Sequence, residues 1–531
     1  MKCRYCGKNN KPGAIVCKRC GIALPTSDTV SSGKELIDVS EIKNEGNSSK
    51  NSNFFTRKNA SESKLKLTKK SALIGLCVLL GIILLSALVI VIAVNSGNII
   101  LPSRNSYSVH ANAVFYNGEP VVPNSSGIAS AESNLDGTRA AILTNDGTLF
   151  SCGKGLVTAA ANGVKSFDVS VNGKKIVFTD KNSLLWSYDC TDTSAAPISV
   201  SNEAVAESFV VSPDGGSVLY VRKLDGMLCA FVNGSVRELE GGLTPISVSD
   251  GGKNIYCYSS EDNSVYFFNK RGKKTFVRSR VDKNIWLNSR HDEIILATDS
   301  GEGIVLTLLI KDGGEPVSIL NAKEPVSPIL PVSGVTIIDE DEHFTVSTCP
   351  FKSFSGKLFS GASLVSYNSK TGAMTLDPDP IKLAVASDNY GTIFCLSLDG
   401  KLTSRSTVRQ GEAVSIASDC ADFTVSANGK TVWYVDTSSK LWYMSGNTVR
   451  AVAGNIEQFS VLPSGINAVF VSNGALYINK GGRSNRTYSV EASKVLDLFS
   501  DARGLYFMEE SLGWSKIDKV GKRMDLLKQS N

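Results

Sequence analysis

"VSPDGGSVLYV", residues 211–221, joins a polar turn to an apolar, β-branched and aromatic run. Proline presets the turn backbone, Asp tolerates it and Gly takes positive φ, so the segment reads as a strand entered through a tight turn. The phrase recurs as "VSVNGKKIVFT" from Val169, "VSDGGKNIYCY" from Val248 and "VSANGKTVWYV" from Val425, with looser copies from Ser133, Val461 and Leu498. A second apolar run follows each after a few residues, as in "LDGMLCAFV" from Leu224 and "EDNSVYFFN" from Glu261. Asp-Gly and Asn-Ser at those crossings suit two-residue hairpins. Gly137, Gly173, Gly215 and Gly252 lie 36, 42 and 37 residues apart, and Gly429, Gly465 and Gly504 lie 36 and 39 apart. A period near 40 in all-β sequence predicts propeller blades, each burying its faces against its neighbours.

The rhythm weakens between Gly252 and Gly429, where "RHDEIILATDSGEGIVLTLLI" and "SDNYGTIFCLSLDGKL" are blurred copies and an insertion is expected around 349–380. We expect an all-β propeller of about eight blades in one ring, with a larger ring, two smaller propellers or a pair of β-sandwiches as alternatives. The Ser-Pro-Asp-Gly turn leading into a central strand resembles the blade repeat of the TolB-like and WD40-like propellers. That resemblance implies a fold and no particular activity.

The other end of the chain has a different character. Cys3-x-x-Cys6 and Cys17-x-x-Cys20 form two tight thiol pairs separated by ten residues. Four thiolates complete a tetrahedral zinc shell with no position left for water, so Cys3, Cys6, Cys17 and Cys20 are expected to hold a structural Zn2+. "CRYCGKNNKPGAIVCKRCGIAL" resembles the short N-terminal zinc ribbons of prokaryotic membrane proteins. Residues 25–70, rich in Ser, Asn and Lys, read as a disordered basic tether. Residues 71–94, "SALIGLCVLLGIILLSALVIVIAV", hold no charge; at about 36 Å as a helix they predict a single transmembrane span. "KLKLTKK" precedes this run, and the next basic residue after it is Arg104. Basic residues collect on the cytoplasmic flank, which predicts a single-pass plasma-membrane protein, bacterial by the ribbon's likeness, with its N-terminus inside and residues 95–531 outside.

The net charge of +5 is uneven: residues 1–70 carry fifteen Lys/Arg against six Asp/Glu, leaving the remainder acidic. A nucleic-acid footprint across the large domain is therefore not expected. Seven cysteines scattered from Cys152 to Cys420 lie mostly in apolar strands and read as small buried hydrophobes. His110, His291 and His343 are isolated, and neither a His-Glu-x-x-His pair nor a Gly-x-Ser-x-Gly elbow occurs. No catalytic or cofactor-binding residue is assigned beyond the zinc ligands. "DEDEH", residues 339–343, lacks the spacing of a calcium loop and reads as a solvated turn. Trp186, Trp433 and Trp442 fall in strand runs and are expected to pack between blades.

The function expected is therefore recognition: an outer propeller binding a ligand, or a protein or glycan partner, in sensing or envelope organisation, with contacts to the lipid bilayer and clustering through the membrane helix. The alternative is an anchored, exported propeller enzyme acting on glycans or peptides.

Overall fold

The computed structural model describes residues 99–527, apart from short stretches at 111–112, 302, 341–343, 408–411, 484, 489–494, 502–503, 510–512 and 519–521. Eleven sheets, antiparallel within each of these ranges, follow one another along the chain, at 107–120, 128–161, 164–201, 205–241, 244–279, 281–322, 326–377, 381–417, 420–453, 456–488 and 495–527. We number these blades 1 to 11. Blade 1 has three strands and most others four, hydrogen-bonded in sequence order from the axis outwards.

The repeated phrase has a specific hydrogen-bonding reason. The hydroxyls of Ser170, Ser212, Ser249, Ser387 and Ser426 each accept the backbone N–H five residues on, at 2.9–3.1 Å. Asn134 and Asn288 do the same with their side-chain oxygens, towards Arg139 and Glu293. One polar side chain thus locks the entry to the second strand of a blade, satisfying backbone donors that the tight turn would otherwise strand. Successive turns are also linked around the ring: Asn172 N–H donates to Pro213 O at 3.0 Å, Asp388 N–H to Ala427 O at 2.8 Å, and Ala427 N–H to Pro463 O at 2.8 Å.

Buried apolar clusters fill the clefts between consecutive blades. Between blades 5 and 6, for example, Tyr256 and Phe267 meet Leu287, Ile294 and Leu296. The ring closes by packing: Phe115 of blade 1, fully buried, sits 5.3 Å from Tyr506 and 5.5 Å from Trp514 of blade 11, ring centre to ring centre. Burying each such ring contributes about 1.5–3 kcal/mol, before the gain from aromatic geometry. The seven cysteines of the propeller are buried and free, as expected.

Two expectations are corrected. The ring has eleven blades, against about eight expected. In blades 6 and 8 the left-handed turn position is filled by His291 (φ 55°) and Tyr390 (φ 58°), where the clear copies have glycine. Each donates the same backbone bond as those glycines, His291 N–H to Asn288 O and Tyr390 N–H to Ser387 O, so a count by turn glycine passes over both blades.

The second correction concerns the single transmembrane helix and the plasma-membrane localisation. Among the described residues no helix is long and apolar enough to cross a membrane; those residues form strands, with one short 3-10 turn at Asp250–Gly252. Residues 71–94, where the span was expected, lie outside the described residues, as do the ribbon (1–24) and tether (25–70).

The expected insertion also shifts. Residues 357–377 are regular strands of blade 7, and the departure from the repeat is the segment 329–356. It leaves blade 7 after its first strand and forms a hairpin, Ile337–Glu340 with Thr345–Thr348. Thr345–Thr348 then pairs in parallel with the inner strand of blade 6, Ile285 opposite Val346, making a six-stranded sheet whose innermost member is Ile337–Glu340.

Candidate functional site

That hairpin determines what the lumen is. A cavity of about 940 Å3 lies between the inner strands of blades 1, 2, 9, 10 and 11 and the segment 332–338. Val109, Phe423, Phe459 and Val461 supply apolar wall, while Ser108, Ser133, Thr424, Ser460 and Ser500 supply hydroxyls. Such a concave, largely apolar space with a few convergent polar groups is the usual form of a binding site. Glu132, Asp388 and Asp422 also line it, and no Lys or Arg is among the lining residues.

The electrostatics concentrate at one end. Glu132, on the inner strand of blade 2, has its carboxyl pushed up to about 7, first by burial and then by the charge of Asp339. Asp168, on the inner strand of blade 3, is held well above the usual carboxylate range by burial, then by Glu132 and Asp339, although the backbone N–H groups of Val169 and Val211 offset part of this. Asp339 belongs to the lumenal hairpin, so a strand attached to blade 6 faces blades 2 and 3 across the ring. Asp388 accepts the Ser333 N–H at 3.0 Å and is also raised, chiefly by burial. Burial first, and then like charge, disfavours ionisation of Glu132 and Asp168, so that the ionisation of one opposes that of the other.

Among the described residues no group of three or more His, Cys, Asp or Glu side chains is placed to hold a metal ion. Metal-binding and membrane character thus find no support within the propeller. The expected zinc ligands Cys3, Cys6, Cys17 and Cys20 lie outside the described residues. The solvated-turn reading of "DEDEH" is incomplete: Asp339 and Glu340 end the lumenal strand, while 341–343, including His343, lie outside the described residues.

The tryptophans and His291 are structural, whereas His110 also lines the cavity. Trp433 is fully buried and donates its indole N–H to Gly465 O at 2.9 Å. Trp186 and Trp442 donate to Asp180 and Asp436, the aspartates that shape their own hairpins. His110 stacks on Phe499 at the junction of blades 1 and 11, and burial lowers the His291 imidazole to about 4.

Sequence reasoning missed Glu132 and Asp168, yet a signal for them exists. Both stand two residues before the locking side chain of their turn, Asn134 and Ser170. The same position in blades 4, 5, 6, 8, 9 and 10 holds Val210, Ser247, Trp286, Val385, Thr424 and Ser460. Acids occur there only in the two blades that the lumenal hairpin faces. Asp339 has no counterpart in the repeat and could not be found this way.

No family model matches the chain, and no curated protein matches it. Among solved structures it is similar to the crystal structure of the tricorn protease, at 15% identity and a TM-score of 0.26, over 80% of this chain and 48% of that one. The chain thus spans about half the length of that protein. What the chain shows in its own right is a β-propeller.

Proposed function

We propose that the propeller is a binding module that takes a positively charged ligand into its lumen and performs no chemistry of its own. The observation that carries this reading is the acidic wall: a 940 Å3 cavity lined by Glu132, Asp388 and Asp422, with His110 but no Lys or Arg among the lining residues, abutted by Asp168 and Asp339. A cation brought there favours ionisation of carboxyls raised by burial and by their acidic neighbours, so binding releases protons and strengthens as pH rises through 7. A ligand with basic side chains, such as a protein partner's segment, fits this charge better than a neutral glycan. To test it, the full chain is titrated with spermine and with poly-glutamate at low salt. Saturable spermine binding that weakens in 0.5 M NaCl and in Glu132→Gln is expected; equal binding of both polymers, or none, would overturn the reading.

A second reading rests on Glu132 itself. A carboxyl held near 7 with a second carboxyl close beside it is an arrangement found among the acid pairs of glycoside cleavage. Release of sugar or peptide products from envelope polymers by the full chain, lost in Glu132→Gln, would favour it over binding alone.

For the N-terminal segment, we propose that Cys3, Cys6, Cys17 and Cys20 hold one structural zinc ion. The support is the ligand spacing.

A further inference from the structure

The lumenal hairpin offers more than charge. Ile337–Glu340 is the last strand of the blade 6 sheet: it pairs with Thr345–Thr348 on one side, and among the described residues no strand pairs with its other side. Exposed strand edges are normally short, charged or covered, because they template the addition of another chain. Here the edge is short and lies inside a cavity, where a second folded protein could not reach it but a single extended segment could.

The side chains narrow the occupant further. Successive residues of a strand face opposite sides, so Ile337 shares a face with Asp339, and Ile338 shares the other with Glu340. Ile338 is 59% exposed, unusual for a large apolar residue inside a ring. Asp339 faces Glu132 and Asp168. A segment lying against this edge would meet Asp339, with Glu132 and Asp168 across from it, on one side, and Ile338 with Glu340 on the other.

We propose that Ile337–Glu340 receives an extended peptide with basic side chains at alternate positions, which adds as a seventh strand to the blade 6 sheet within the lumen. Main-chain hydrogen bonds to the strand edge supply the affinity, and the carboxylates of blades 2 and 3 with Asp339 select the side chains, as in other cases of strand addition. The inference rests on the lumen being the binding site, and its test separates the two.

The full chain is titrated with three probes: the peptide Lys-Val-Lys-Val-Lys-Val, the same peptide N-methylated at alternate residues in either register, and spermine. Strand addition predicts that one N-methylated register binds at least tenfold more weakly than the parent peptide while the other is less affected. It also predicts that the parent slows hydrogen exchange of the 337–340 amides. If all probes bind alike and those amides are not protected, strand addition is wrong while the cationic-ligand reading stands. If none binds, both fail. Ile338→Asp, which keeps the strand edge but replaces its exposed apolar side chain, is expected to lower the affinity for the parent peptide relative to spermine several-fold; an unchanged ratio would count against strand addition.

Discussion

Replacing Glu132 with Gln should make the protein more stable, and only at neutral and alkaline pH. The Glu132 carboxyl sits at about 7 in the fold against 4.5 when free, so the native state retains a proton that the unfolded chain would release. Below about pH 4.5 both states are protonated and the group contributes nothing. As pH rises from there to 7, the unfolded state ionises freely and the folded state does not, so stability falls; above 7 the penalty is complete. The full displacement corresponds to about 3 kcal/mol. Glu132 is only half-buried, and water in the lumen screens it, which reduces this to about 1–2 kcal/mol. Gln keeps an oxygen able to accept the Val169 N–H while removing the charge that faces Asp168 and Asp339. For a propeller of this size each kcal/mol moves Tm by only about 1 °C. Wild type and Glu132→Gln are therefore best compared in urea as well as by calorimetry, at pH 4.5, 6, 7 and 8. The expected result is no difference at pH 4.5 and a variant more stable by about 1–2 kcal/mol at pH 8, with weaker cation binding as the accompanying cost. A difference of the same size at both extremes, or a variant less stable at pH 8, would refute the account of the lumenal carboxyls.

Three further outcomes are expected. Gly465 has φ +71°, and a Cβ there would collide with the Thr431 hydroxyl and stand 2.5 Å from the Ser426 Cβ. Gly465→Ala should cost about 3 kcal/mol in urea unfolding, whereas Gly474→Ala, also at φ +71° but facing open space, should cost only about 1 kcal/mol. Phe115→Ala should remove about 3–5 kcal/mol from the closure between blades 1 and 11, and hydrogen exchange should accelerate in those two blades before the others. If the Cys3, Cys6, Cys17 and Cys20 quartet holds zinc, the full chain purified under reducing conditions should carry one zinc per molecule by mass spectrometry, and Cys17→Ser should lose it; stoichiometric zinc in that variant would count against the assignment.

The strands, their hairpins and the propeller class were legible in the sequence because they are local: a serine or asparagine, a turn and an apolar run act within about ten residues. The packing role of Trp433 and the burial of Cys257 followed from the same alternation. Blade number was less legible. Left-handed turn geometry can be met by His291 or Tyr390 when their side chains find partners, His291 with Thr348 and Tyr390 with the carbonyl of Ile329. Glycine is the cheapest residue for such a turn, and where other contacts hold the turn it ceases to mark the repeat.

The sequence by itself determined a repeating β-unit that cannot bury its faces alone, and hence a ring. Only the tertiary structure decided how many blades close it and what fills its centre. Glu132, Asp168 and Asp339 are up to 207 residues apart in the chain, and no local pattern ties the third to the others. They meet because segment 329–356 leaves blade 7, pairs in parallel with blade 6 and carries Asp339 across the lumen. Parallel pairing over such a distance is set by the closed ring, which fixes where the hairpin can find an edge to join, and that edge in turn places its charges.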